Sequence, residues 1–160
     1  MCGLMNQSNT EIDMLKNAAG IISLLVIFCG CAIQQTVIPV GKFESKEVCI
    51  IENPSVRAGF IEAYRRTLQN KGYSVRQIPA TSSITECPIT STYSANWHWD
   101  LATYMAYAEI KVYRDGRPAG EAKYDTHRGG GNLGKFINAD NKIVELVNQL
   151  FPEGQGNPID

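Results

Sequence analysis

Between Ala18 and Gly30 the chain carries no charge, running Ala-Ala-Gly-Ile-Ile-Ser-Leu-Leu-Val-Ile-Phe-Cys-Gly shortly after Lys16. A basic residue followed by such a run is the layout of a secretory leader. A spanning helix needs about 20 predominantly apolar residues. Gln34 and Gln35 close this run early, so a cleaved leader fits better than a permanent anchor. The competing reading, a buried core helix, calls for an amphipathic stripe, and the run has none. Residues 1–13 are polar and acidic where a leader should be basic. Met14-Leu15-Lys16 makes an ordinary leader start, so residues 1–13 read as a start-site extension.

The run ends in Phe28-Cys29-Gly30-Cys31, which resembles the lipobox of bacterial lipoproteins: an apolar residue, a small residue, Gly or Ala, then the obligatory cysteine. Gly30 and Cys31 fit well; Phe28 and Cys29 are looser than the usual Leu and Ala or Ser. The resemblance implies a signal peptide over 1–30 and lipid attachment at Cys31. The membrane is then a partner through that anchor. In such lipoproteins Asp after the lipidated Cys favours inner-membrane retention; Ala32 stands there, which implies the outer membrane, facing the periplasm. Processing discards Cys2 and Cys29 and leaves Cys49 and Cys87 as an even remainder. In an oxidising compartment that remainder is expected to be a disulfide. Two separate buried thiols are the alternative, because Cys49 sits in an apolar strand.

The mature chain has room for one domain, and 44% apolar residues suffice for a core. Fifteen Lys and Arg against sixteen Asp and Glu give a net charge of −1. That leaves no electrostatic footprint for nucleic acid. Residues 31–45 mix Gln-Gln, Pro39 and Gly41 without periodicity and read as a lipidated N-terminus and tether. A single domain over 46–152 and a flexible tail over 153–160 follow.

Within the domain, Val48-Cys49-Ile50-Ile51 reads as a central strand covered on both faces. Asn53 is expected to cap a helix opened by Pro54. That helix carries Val56, Phe60, Ala63, Tyr64, Thr67 and Leu68 and stops at Lys71-Gly72. A second strand runs from Tyr73 to Ile78 and makes a parallel βαβ unit with the first. Ile89 to Trp99 is β-prone. Between Tyr104 and Tyr113, Ala106, Ala108, Ile110 and Val112 share a dry face, and Glu109, Lys111 and Tyr113 a wet one. Asp115-Gly116 is a hairpin turn into a strand over Arg117 to Asp125. A last helix carries Phe136, Ile143, Val147 and Leu150 and ends at Pro152. The predicted fold class is α+β. It is a two-layer sandwich of order β-α-β-β-β-α, a mixed sheet with two helices packed on one face.

Gly129 to Lys135 fits G-x-x-x-x-G-K, but Phe136 stands where a phosphate-binding loop needs a Ser or Thr for Mg²⁺. The preceding strand is also expected to be antiparallel. A loop with Gly130, Gly131 and Lys135 as a contact surface is preferred. His98 and His127 have no metal-ligand spacing. A Cys87 nucleophile with His98 as base competes with the disulfide. Joining His98 or His127 to a carboxylate in a pocket would reopen an enzymatic reading. Trp97 and Trp99, in line with Tyr93 and Ala95, are expected to pack in the core. As an alternative they form an aromatic platform for a protein or glycan, extended by Tyr107 and Tyr113.

Taken with Cys31, the segments Glu52-Asn53-Pro54, Cys87 to Tyr93, Ala95-Asn96-Trp97, Tyr104 to Ala108 and Gly130 to Phe136 resemble an uncharacterised family of small proteobacterial lipoproteins. The resemblance covers nearly all of the mature chain and implies location and fold without an activity. Element order is also similar to small envelope lipoproteins that assist outer-membrane assembly or activate peptidoglycan synthases, an analogy that carries no function. The expectation is a non-enzymatic accessory protein, without metal or cofactor, that binds an envelope protein or cell-wall component. The alternative is a small-ligand or glycan-binding module using Trp97 and Trp99.

Overall fold

In a computed structural model of the chain the described residues are 33–127 and 132–152. Six strands and two helices make an α+β sandwich: β1 Gln34–Ile38, β2 Glu47–Ile51, α1 Ala58–Asn70, β3 Ser74–Ile78, β4 Ile89–Asp100, β5 Ala102–Arg114, β6 Arg117–Asp125 and α2 Ala139–Leu150. The sheet order is β1-β6-β5-β4-β2-β3. β2 pairs parallel with both β3 and β4, and the β4-β5-β6-β1 side is antiparallel throughout. Cys31, Gly130, Gly131 and the 153–160 tail lie outside the described residues.

The helices and the sheet bury one shared core. Val48 and Ile50 of β2, Tyr93 and Ala95 of β4, Ala108, Ile110 and Val112 of β5, and Ala122 and Tyr124 of β6 meet Phe60, Tyr64 and Leu68 of α1 and Ile143, Leu146 and Leu150 of α2. Phe60 stacks on Tyr93, with centroids 5.2 Å apart. α1 buries Phe60, Ala63, Tyr64, Thr67 and Leu68, the stripe expected of its three- and four-residue spacing. It ends in a Schellman arrangement: Gly72 takes φ 85°, its N–H donates to Gln69 O, and Tyr73 N–H donates to Leu68 O at 3.1 Å. At the β5–β6 turn Asp115 and Gly116 both have positive φ, as a two-residue type I′ turn requires.

Three features depart from the sequence reading. Gln34–Ile38, expected in the tether, is an edge strand in register with β6, from Gln34 opposite Asp125 to Ile38 opposite Glu121. Val40 and Phe43 follow it into the core, so the folded domain starts well before Lys46. Thr36-Val37-Ile38 is a short β-prone run whose partner lies some 80 residues away, beyond what local pattern can reveal. Secondly, Asn53 does not cap α1. Its Oδ1 accepts from Ser55 N–H in a turn of its own, and the helix opens after Arg57 without a side-chain cap. Thirdly, Phe136 belongs to a 3₁₀ turn, Leu133–Phe136, that precedes α2. Asn138 caps α2 by accepting from Asn141 N–H at 3.2 Å.

Candidate functional site

Among the described residues, no second layer covers the side of the sheet away from the helices over β4, β5 and β6. Alternation along the strands brings Thr92, Tyr107, Glu109, Lys111, Tyr113 and Lys123 to that face, half-buried by one another. Tyr107 Oη donates to Glu109 Oε1 at 3.0 Å, Lys111 pairs with Glu109 at 2.9 Å, and Lys123 stands 5.4 Å from the centroid of the Tyr107 ring. Burial, then the hydrogen bond to Glu109 and its charge, push the Tyr107 phenol up to about 12. Burial alone would raise Glu109, but hydrogen bonds from Lys111 and Tyr107 outweigh it and hold the carboxyl below its ordinary value.

On the β2 side the same face is closed by a disulfide. Cys49 and Cys87 are bonded, with Cα atoms 6.2 Å apart, and with Ile78 they form a small second core. The Arg76 guanidinium lies 3.0 Å from Cys87 Sγ and also pairs with Glu47. The bond covers the outer face of β2, so that strand is dry on both sides, as its continuous apolar run predicts. It also removes Cys87 as a nucleophile for His98.

Trp97 and Trp99 do not make one platform with the tyrosines. The register shifts by a bulge between Asn96 and Trp97. Trp97 packs part-buried against the helix-side core, with the Arg57 guanidinium 4.9 Å from its ring centroid. Tyr107 and Tyr113 are on the opposite face. Trp99 is 76% exposed at the end of β4. The core reading therefore holds for Trp97 only in part, and it fails for Trp99, whose strand runs past the last helix-covered residue.

At that end of the sheet the structure brings together residues far apart in the sequence, among them Lys135, which the sequence places on a contact surface and the fold instead buries. Lys135 is buried along its stem, and its Nζ pairs with Asp100 Oδ2 at 2.5 Å, 5.4 Å from the Tyr104 ring. The hydrogen bond to Asp100 raises the pKa of Lys135. Phe136 meets Tyr104 edge to face at 5.5 Å. The 3₁₀ turn is thus pinned to the β4–β5 hairpin, and Lys135 is directed at Asp100. Gly134 N–H is likewise taken by Asn132 Oδ1 at 2.9 Å. Beside this turn, His127 Nδ1 is 2.7 Å from Asp125 Oδ1, and the His98 and His127 rings are 5.1 Å apart. The backbone N–H of His127 lowers the Asp125 pKa, and its ring adds to the effect. Spacing alone hides this cluster, because His98 and His127 meet only through strand pairing. Among the described residues no group of three or more His, Cys, Asp or Glu is placed to hold a metal ion. No helix among them is long and apolar enough to cross a membrane.

Sheet order and helix placement define the chain as a two-layer α+β sandwich, disulfide-closed at one side and, among the described residues, open on one sheet face. The same fold is seen in PelC of Paraburkholderia phytofirmans. A point variant of the PelC dodecamer superposes with a TM-score of 0.50 over 79% of this chain and 99% of that one, at 10% identity. The PelC dodecamer in a second crystal form gives 0.49 over 75% and 98%, at 12% identity. At such identities the likeness is one of fold. No protein-family model matches the chain, and no curated protein matches it.

Proposed function

We propose that the protein is a non-enzymatic accessory lipoprotein, anchored at Cys31 in the outer membrane facing the periplasm, whose open sheet face engages another envelope component. The observation that carries this is the uncovered face of β4, β5 and β6, where Tyr107 and Tyr113 stand among paired charges. Tyrosines amid polar groups on a rigid sheet supply contact area at low entropic cost. The partner is a cell-wall component or a protein, with a second copy of this chain among the candidates, since PelC, which shares the fold, is a dodecamer. The Asp125–His127 pair sits at a strand end with its imidazole about half exposed, where a substrate would stay in water.

A photo-crosslinking residue at Tyr107 or Tyr113 in cells, followed by mass spectrometry, tests the face. One protein or glycan product, absent when the probe stands at exposed Arg65 on α1, is expected; equal yields from both sites would overturn the reading. The mass of the protein extracted from membranes tests the anchor. A diacylglycerol-modified Cys31 supports it, and an unmodified Cys31 refutes it.

A further inference from the structure

The β4–β5 hairpin ends in a solvent-facing apolar tip. Trp99 is 76% exposed and Leu101 85%, and Leu133, on the 3₁₀ turn pinned beside them by Lys135–Asp100 and Phe136–Tyr104, is 76% exposed. Leu101 also has a φ of 61°, a left-handed conformation that a leucine adopts only against strain. It gains no burial in return, so this residue contributes little to the fold. Three large apolar side chains together on a braced tip mark a contact surface.

The chain itself indicates what covers it. β1 is antiparallel to β6 with Gln34 opposite Asp125, and β5 places Tyr107 opposite Asp125 and Asn96. β1 therefore starts with its N-terminus directed toward the hairpin tip, level with Asn96 and Tyr107 and five residues short of Leu101. Ile33 continues toward the tip: a Cβ on Gly134 would stand 3.4 Å from Ile33 Cδ1, so Ile33 packs against the 3₁₀ turn that carries Leu133. Cys31 is two residues before Ile33, and two residues of chain reach at most about 7 Å. An acyl chain on Cys31 would thus tether this end of the sheet close to the membrane.

We infer that the tip formed by Trp99, Leu101 and Leu133 inserts into the headgroup region of the bilayer that holds the anchor, fixing the open sheet face upright on the membrane. Tryptophan favours that interface, with an apolar ring and a polar N–H. The inference rests on anchoring at Cys31, and the test separates the two.

The full chain carrying Trp97→Phe, so that Trp99 is its sole tryptophan, is extracted from membranes. It is weighed by mass spectrometry and rebuilt into phosphatidylethanolamine–phosphatidylglycerol vesicles with or without brominated acyl chains. Bromine near the headgroups should quench the Trp99 emission relative to vesicles without it. Leu101→Asp with Leu133→Asp should abolish that quenching. Both residues are exposed, so the circular dichroism spectrum and the Cys49–Cys87 bond should persist. In the Trp99→Phe chain, Trp97 should be unaffected by bromine. A lipidated protein whose Trp99 is unquenched overturns the inference and leaves the anchor standing. Emission that is blue-shifted but insensitive to bromine assigns the tip to a protein surface and equally overturns it. Quenching in a chain with an unmodified Cys31, added to the same vesicles, supports the tip and refutes the anchor. An unmodified chain without quenching refutes both.

Discussion

Cys49 on β2 and Cys87, 38 positions later, are joined across the outer face of the sheet and close the loop that carries the chain from β3 to β4. The bond encloses the βαβ unit, so every route by which β2, α1 and β3 unfold is confined by it. Loop-closure entropy for such a span is worth about 4 kcal/mol, a large share of the roughly 5–15 kcal/mol that holds a domain of this size. The Cys49→Ala, Cys87→Ala double variant should lose about that much in urea unfolding, with a steeper slope because its unfolded chain, no longer cross-linked, exposes more surface. Thiol titration of the unfolded, unreduced protein should find neither cysteine free. An unchanged midpoint would mean that the unfolded chain is not the state the bond constrains.

Much of this architecture is legible in residue order, and what is not has a common cause. The β5–β6 hairpin, α1 with its glycine stop, and the two-sided burial of β2 all follow from local patterns: a turn dipeptide, a 3.6-residue stripe, an unbroken apolar run. Parity of cysteines pairs Cys49 with Cys87. β1 is invisible by the same means, because Gln34–Ile38 becomes a strand only by pairing with residues 121–125. The tip is hidden for a related reason. Alternation places Trp99 in line with Tyr93, but a strand that outruns the helices leaves it in water. His127 finds His98, and Lys135 finds Asp100, only through the same strand pairing.

Gly120 is where β1's continuation crosses β6. A Cβ there would come within 2.5 Å of Val40 Cγ1 and 3.0 Å of Ile38 O. The second contact is backbone, which cannot rotate away. Gly120→Ala should therefore shift the segment that leads from Ile38 to Val40 and cost about 1–3 kcal/mol, as overpacking does. Hydrogen exchange should show faster amides at Val37 and Val40, with those of β4 little changed. A variant as stable as the parent would show that this segment yields freely.

β1 is also held through side chains. Gln35 Nε2 donates to Glu145 Oε1 at 2.9 Å, and Lys142 Nζ donates to Gln35 Oε1 at 3.1 Å and to Glu145 Oε2 at 2.6 Å. The bond from Lys142, then that from Gln35, lower the Glu145 pKa beneath its ordinary 4.5. A depressed carboxyl stabilises the fold above its unfolded value and loses that contribution as pH falls through the folded one. Asp125, lowered by His127, acts in the same direction. Stability should hold above about pH 5 and decline below 4.5. In Glu145→Gln the decline should be shallower. Because Glu145 is more than a third exposed, its loss near neutrality should cost only about 0.5–1 kcal/mol. Denaturant midpoints against pH for both proteins decide it.

Lys135 should bind no nucleotide. Its ammonium is committed to Asp100, and the residue that would need a hydroxyl for Mg²⁺ is Phe136, packed on Tyr104. Calorimetry with ATP and Mg²⁺ should be flat for the parent and for Lys135→Ala alike. Micromolar binding lost in the variant would contradict this arrangement.

Tyr124 offers the opposite kind of change, a substitution expected to cost nothing. Its ring is packed in the core, with Lys142 Nζ 5.1 Å from its centroid, yet its hydroxyl is buried without a hydrogen-bond partner among the described residues. Burial pushes the phenol pKa up, and the nearby Glu145 charge adds to the effect. Leaving such a group unpaired costs about 1–3 kcal/mol, whereas removing it while keeping the ring costs only its weak contacts. Tyr64 supplies the contrast at similar burial, since its hydroxyl lies 2.8 Å from Ser91 Oγ. Tyr124→Phe should therefore leave the denaturant midpoint unchanged or raise it, and Tyr64→Phe should lower stability by about 1 kcal/mol. A loss in Tyr124→Phe as large as in Tyr64→Phe would mean that the Tyr124 hydroxyl holds a water or another group in the folded protein.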